Sequence, residues 1–214
     1  MRTLLKFLVL ALVFGFYAVV MSGCAQQPLA SRILPVAVHI FSIDAECSGT
    51  IIRVRNGEVV ILTARHCVEE PLDYVQVGAL PRKYRHFTHI LLSGRFDLAL
   101  VELKDMGSQP FAVIADSPIP RGESFELVGL SSEVPWAISR GFVMGDNLHV
   151  SYDKYHGLDV PLACMGCDSG DSGSGIFNSA GLLSGVLAAM SQNNVRTYAV
   201  PLHDIRAFLA KALK

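Results

Sequence analysis

Three side chains in this sequence are of types that cooperate in nucleophilic catalysis. Ser172 lies in Asp168-Ser169-Gly170-Asp171-Ser172-Gly173-Ser174-Gly175-Ile176-Phe177, a Gly-flanked hydroxyl in a sharp loop before an apolar run. His66 follows Leu62-Thr63-Ala64-Arg65, and Asp97 opens Leu98-Ala99-Leu100-Val101. A serine hydroxyl is a weak nucleophile at neutral pH and needs a base, and imidazole titrates in the range that suits this task. A carboxylate behind the imidazole fixes its tautomer and stabilises the imidazolium. These types suggest Ser172 as nucleophile, His66 as base and then acid, and Asp97 as the orienting carboxylate. Singly, each has an ordinary explanation: a capping His, a turn Asp, a Gly-Asp-Ser-Gly turn. Together, in the order His, Asp, Ser with separations of 31 and 75 residues, they are far more specific. Ser169 stands in its own Asp-Ser-Gly frame, but Ser172 leads directly into Ile176-Phe177 and is preferred.

The elements that must position these groups read as short strands. Apolar or alternating runs fall at residues 35–43, 48–54, 59–63, 74–77, 87–92, 98–103 and 111–115. Others fall at 124–130, 136–144, 148–152, 175–177, 182–190 and 196–200. Gly, Pro, Asn and Asp punctuate them every 8–12 residues or so, which argues for barrels or a sandwich and against a parallel βαβ sheet. Asn56-Gly57 between two of them is a hairpin signal. Pro201 at a first helical position, then Ile205, Phe208, Leu209 and Leu213, reads as a C-terminal amphipathic helix. Tyr152, Lys154, Tyr155 and His156 read as a polar surface loop, Trp136 as core, His86 and His89 as an exposed hairpin face in preference to a metal site, and His39, His149, His156 and His203 are scattered without ligand spacing.

Composition narrows the function classes. The 214 residues are 51% hydrophobic and 17% charged, with 18 Lys and Arg against 19 Asp and Glu, a net of −1. Global disorder is excluded by the apolar content. No basic excess exists to neutralise phosphates, so no nucleic-acid partner is expected.

The apolar residues are concentrated at the N-terminus. Arg2 and Lys6 precede an uncharged run over residues 7–21, then Ser22, Gly23 and Cys24. This is the layout of a signal peptide over 1–23, its run being short of the roughly 20 residues that span a bilayer. Met21-Ser22-Gly23-Cys24 resembles a bacterial lipobox with Met where Leu is usual, which marks Cys24 for lipidation and the protein for the membrane surface. Simple secretion after Ala25 and an uncleaved anchor are the alternatives. Each exports the remaining chain to the cell envelope, on the periplasmic or cell-surface side. Residues 24–32 then form a tether, and loss of Arg2 and Lys6 takes the net charge to −3.

Cys47, Cys67, Cys164 and Cys167 remain, an even number suited to two disulfides in one of three pairings. Cys164-Met165-Gly166-Cys167 also has the spacing of half a zinc site, but no second tight pair faces it.

The motifs around His66, Asp97 and Ser172 resemble those of bacterial-type trypsin-like serine peptidases, over about residues 33–214. The resemblance implies an all-β fold of two packed six-stranded antiparallel β-barrels with a C-terminal helix, the halves being about 33–115 and 116–214. It implies a serine endopeptidase that hydrolyses peptide bonds of proteins in the cell envelope or outside the cell through an acyl-enzyme. The substrate is a protein or peptide, and neither metal nor cofactor is needed. Backbone N–H groups of Gly170 and Ser172 would form the oxyanion hole, and Asp171 would brace that loop through a buried polar contact. Cys47-Ser48-Gly49-Thr50 resembles the strand before the His motif, which implies a Cys47–Cys67 bridge pinning the His loop. A local Cys164–Cys167 bridge would stiffen the wall of the specificity pocket. That pocket would be lined by 166–169 and 186–190, with Ala188, Ala189 and Met190 in it, and would favour a small or apolar residue. Departures are Ser174-Gly175 where Gly-Pro is frequent, and Arg65 before the His, its side chain expected to face solvent. Arg32-Ile33 lies too close to Cys47 to be an activation site. The rival reading is a catalytically silent envelope binding or scaffold protein on the same fold. A third is a peptidase that cuts one partner or its own tether. Oligomeric state is not legible.

Overall fold

The computed structural model describes residues 28–213 except 44–45, 56–57, 79–82, 85–86, 105–106, 132–133, 146–147, 153–154 and 191–195. The expected signal peptide and Cys24 lie outside the described residues, as do Asn56-Gly57 and His86. Two antiparallel sheets make up the body. The first comprises β1 Ala37–Ser42, β2 Glu46–Arg55, β3 Glu58–Thr63, β4 Leu72–Val77, β5 Lys83–Tyr84, β6 Phe87–Leu92 and β7 Ala99–Leu103, in the order β5-β4-β1-β2-β3-β7-β6. The second comprises β8 Ser124–Ser131, β9 Val134–Val143, β10 Leu148–Tyr152, β11 Tyr155–Met165, β12 Gly175–Phe177, β13 Leu183–Met190 and β14 Thr197–Pro201, in the order β10-β11-β14-β13-β12-β8-β9. Pairing of β11 with β9 closes six of these strands into a barrel, with β10 added as a hairpin; the first sheet is a half-barrel of six strands plus the two-residue β5. A helical turn, α1 Leu29–Ile33, precedes the strands, and α2 Leu202–Ala212 follows them.

Three cores explain why several strands are apolar on both faces. In β3, Val59 and Ile61 point into the first half-barrel while Val60 and Leu62 point into the seam between halves. β7 divides likewise, with Ala99 and Val101 inward and Leu100 in the seam, where it lies opposite Leu62. β13 sends Leu187 into the second barrel and Val186 and Ala188 into the seam. A strand buried on both sides loses the alternation of a half-solvated one, and each large aliphatic side chain so buried contributes about 1.5–3 kcal/mol. Helix α2 seats Ile205, Phe208 and Leu209 in the same seam. A second cross-half contact is the buried His39 of β1, whose ring stacks on Trp136 of β9 with centroids 3.4 Å apart.

Three local expectations differ from the fold. Residues 111–115 form a connector and not a strand: Ala112 N–H donates to Ile51 of the first half, and Leu183 N–H of the second donates to Val113. Serving both halves leaves only an isolated bridge, Ile114 to Leu183. Tyr155 and His156 belong to β11, which pairs with β10 over five registers, so the loop expected there is a hairpin. Pro201 is the last residue of β14, opposite Gly185, and caps α2 with an extended ψ of 156° instead of opening it.

Candidate active site

The His loop begins where β3 ends. Ala64 has no accessible surface, and residues Arg65–Val68 form a 3₁₀ turn that turns His66 outward, one-third exposed. The Cys47–Cys67 disulfide ties this turn to β2. Arg65 does not face solvent as expected. Its Nε donates to Glu69 Oε1 at 2.9 Å and its Nη1 to the Ser93 carbonyl at 2.8 Å. This clasp joins the His turn to the loop that carries Asp97, and Ser93 shapes that loop by accepting the N–H groups of Arg95 and Phe96.

Asp97 sits at the loop end with a fully buried side chain. Its Oδ1 accepts the backbone N–H of His66 at 3.0 Å and its Oδ2 faces His66 Nδ1 at 2.7 Å. A carboxylate accepts only, so Nδ1 carries the proton and the Nε2 lone pair is turned away from Asp97. The two bonds fix ring rotation and tautomer at once.

The Ser172 loop is made by glycines. Gly170 (φ 94°) and Gly173 (φ 85°) occupy the left-handed region; a Cβ would fall 1.9 Å from the Leu130 carbonyl at Gly170 and 2.1 Å from the Ser48 carbonyl at Gly173. Ser48 of β2 holds the loop across the seam. Its N–H donates to the Ser172 carbonyl at 2.8 Å, its hydroxyl to the Gly170 carbonyl at 2.8 Å, and that hydroxyl accepts Leu130 N–H at 2.9 Å. Cys67 Sγ lies 3.5 Å from the Ser172 carbonyl, which places Ser172 beside the residue that follows His66. On the other side, Gly173 N–H donates to Leu187 of β13. Ser172 is half-buried; Ser169 is exposed and its N–H is bound by its neighbour Asp168.

Asp171 has no exposed surface, and its Oδ2 accepts Asp168 N–H at 2.9 Å. Burial pushes its carboxyl up to about 6, the Asp168 charge adding to the rise and the Asp168 N–H opposing it. Its Oδ1 packs where a Cβ on Gly129 would stand, so glycine at 129 makes room for it. His39, also buried, is pushed down to about 4 by desolvation, its bond with the Gly129 backbone opposing the shift.

Ala188 is buried in the seam face of β13, and Ala189 and Met190 are half-buried beyond it. Cys164 and Cys167 are joined to each other around Gly166 (φ 85°), immediately before the Asp168 loop. Cys47, His66 and Cys67 also place donor atoms within 4.8 Å of one another, but both sulfurs are engaged in the other disulfide. Ser48, Ser93 and Arg65 are the positioning residues that motif reading did not single out as such. The signal at Ser48 is its place directly after Cys47, in Cys47-Ser48-Gly49-Thr50.

Residues 47–186, about two-thirds of the chain, match the trypsin-like peptidase domain, and the chain belongs to that family. Solved structures agree on the fold. The Mycobacterium tuberculosis protease Rv3671c in its active form superposes with a TM-score of 0.72 at 18% identity, over 86% of this chain and 83% of that one. An inactive form gives 0.71 at 18% identity, over 86% and 92%. A serine endoprotease from Yersinia pestis gives 0.67 at 18% identity over 86% of this chain, which spans 64% of that protein. No curated protein matches the sequence.

Proposed function

We propose that this peptidase is a serine endopeptidase acting on proteins of the cell envelope or outside the cell, from a membrane-held, exported position. The observation that carries the reading is the double hydrogen bond of His66 to buried Asp97, next to a Ser172 loop held in place by Ser48. In this reading a peptide segment lies in the cleft between halves. Ser172 Oγ attacks the scissile carbonyl carbon as its proton passes to His66 Nε2, and Asp97 stabilises the imidazolium. The N–H groups of Gly170 and Ser172 bind the developing oxyanion, a contribution of several kcal/mol in such sites. The C–N bond then breaks, His66 protonates the departing amine, and the acyl-Ser172 ester remains. Water, deprotonated by His66, hydrolyses that ester and restores the hydroxyl. Ala189 and Met190, half-buried at the end of β13 beyond the core residue Ala188, favour a small or apolar residue before the cut, and lipidated Cys24 holds the domain at the membrane.

Fluorophosphonate labelling of the disulfide-bonded protein tests this. Wild type and Ser169→Ala are expected to take the label, while Ser172→Ala and His66→Ala do not. Label on Ser172→Ala would overturn the nucleophile assignment. A folded wild type that takes none would favour the silent envelope scaffold.

A further inference from the structure

We propose that the face built from residues 28–36, 109–115 and 178–183 lies on an anionic phospholipid bilayer, with Phe111 and Val113 entering its headgroup boundary. The inference rests on the reading of Cys24 as lipidated. The three segments meet in space. Arg32 Nη1 and Nη2 donate to the carbonyls of Ala180 and Ser179 at 3.0 and 3.3 Å. Leu183 N–H donates to the Val113 carbonyl and Ala115 N–H to that of Leu183, both at 2.8 Å. Ile33, Ala112 and Leu183 share one core beneath them.

The outer surface has an unusual chemistry. Phe111 and Val113 alternate outward from the connector, 54% and 58% exposed, because Ala112 between them turns inward to Ile51. Pro35, Pro110 and Ala180 are exposed around them. None of the three segments contains an Asp or Glu, and Arg32 is a cation held by carbonyl oxygens. Asp116, the next residue after the connector, is exposed but paired with Arg206 at 3.0 Å, so apolar side chains with cationic Arg32 and Arg206 beside them fit an anionic interface.

Chain length selects this face. Three residues lie between Cys24 and Pro28, four chain steps with a reach of at most about 14 Å when fully extended. A domain of this size is roughly 40 Å across. An acyl chain on Cys24 therefore holds the side where residue 28 emerges against the bilayer. The 178–182 turn follows the end of β12 away from the Ser172 loop, with the three residues of that strand, roughly 10 Å, between them. The catalytic cleft then opens away from the lipid, toward substrates in the aqueous space.

The test uses full-chain protein purified from bacterial membranes and reconstituted in phosphatidylcholine–phosphatidylglycerol vesicles with brominated acyl chains. Wild type, whose Trp136 stacks on His39, sets the baseline. A ring about 5–10 Å deep meets the bromines, so Phe111→Trp should lose roughly half of its added emission. Ile43→Trp, more exposed than Phe111 but beyond the Cys47 end of the strands, should lose none. Mass spectrometry of the N-terminal peptide is read on the same samples. Lipid on Cys24 with no quenching of Trp at 111, or with equal quenching at 43, overturns the docking face and leaves lipidation standing. Absence of lipid on Cys24 overturns the lipidation reading and the docking face with it.

Discussion

Asp171→Asn is expected to remove a definite part of the pH dependence of stability. The Asp171 carboxyl is raised from 3.8 to about 6 by burial, and the residue has no exposed surface through which solvent could screen it. The folded state thus binds this proton more tightly than the unfolded chain does. The stabilisation is complete below about pH 4 and is lost as pH rises through 6. About two units at 1.36 kcal/mol each make about 3 kcal/mol. Asparagine keeps an oxygen for the Asp168 N–H and cannot ionise. Urea unfolding of both proteins, disulfides intact, from pH 4 to 7.5 gives the difference in unfolding free energy. His39, held down at about 4, runs in the opposite sense, its stabilisation present above 6.5 and lost on acidification, but it is common to both proteins and cancels. Wild type minus variant should shrink by about 3 kcal/mol between pH 4 and 7. A flat difference, or one that grows with pH, would refute the argument, since it would mean that the ionised carboxylate is tolerated or favoured in its pocket.

Asp97→Asn preserves shape but holds His66 in the wrong tautomer, so kcat is expected to fall by about 10⁴-fold; a loss under tenfold on a peptide substrate would contradict the positioning role. Replacing Cys47 and Cys67 by serine opens a 20-residue loop and should lower the unfolding free energy by about 3 kcal/mol. The same change at Cys164 and Cys167, which close three residues, should cost about 2 kcal/mol or less in non-reducing urea titrations, and a larger loss there would count against the loop-length argument. Gly173→Ala forces a Cβ against the Ser48 carbonyl at a φ of 85°, so it should abolish fluorophosphonate labelling even where circular dichroism shows folded protein; full labelling would show that the loop tolerates a side chain.

Much of this molecule is legible in short stretches of sequence. The His66, Asp97 and Ser172 motifs stand out because each places a polar group beside an apolar run, and the runs themselves count out the strands. Strand type comes from local periodicity and turn residues, which need no knowledge of the rest of the chain. The misjudged elements are those whose state depends on distant partners. Residues 111–115 look like a strand because they are apolar and extended, but their hydrogen bonds divide between Ile51 and Leu183. The first residues of β11 look like a loop because they are polar, and become strand by pairing with β10. Arg65 looks like a surface cation until its clasp on the Ser93 carbonyl, 28 residues away, is seen. Residue types at His66, Asp97 and Ser172 were sufficient to suggest a chemistry, since that chemistry demands those functional groups. Their assembly was decided by tertiary structure alone: Ser48 reaches Leu130 and Gly170 across separations of 82 and 122 residues, and Asp171 is raised to about 6 by the burial that this packing imposes. Such contacts depend on the register of two sheets and the close approach allowed by glycines, and a local sequence pattern does not encode either.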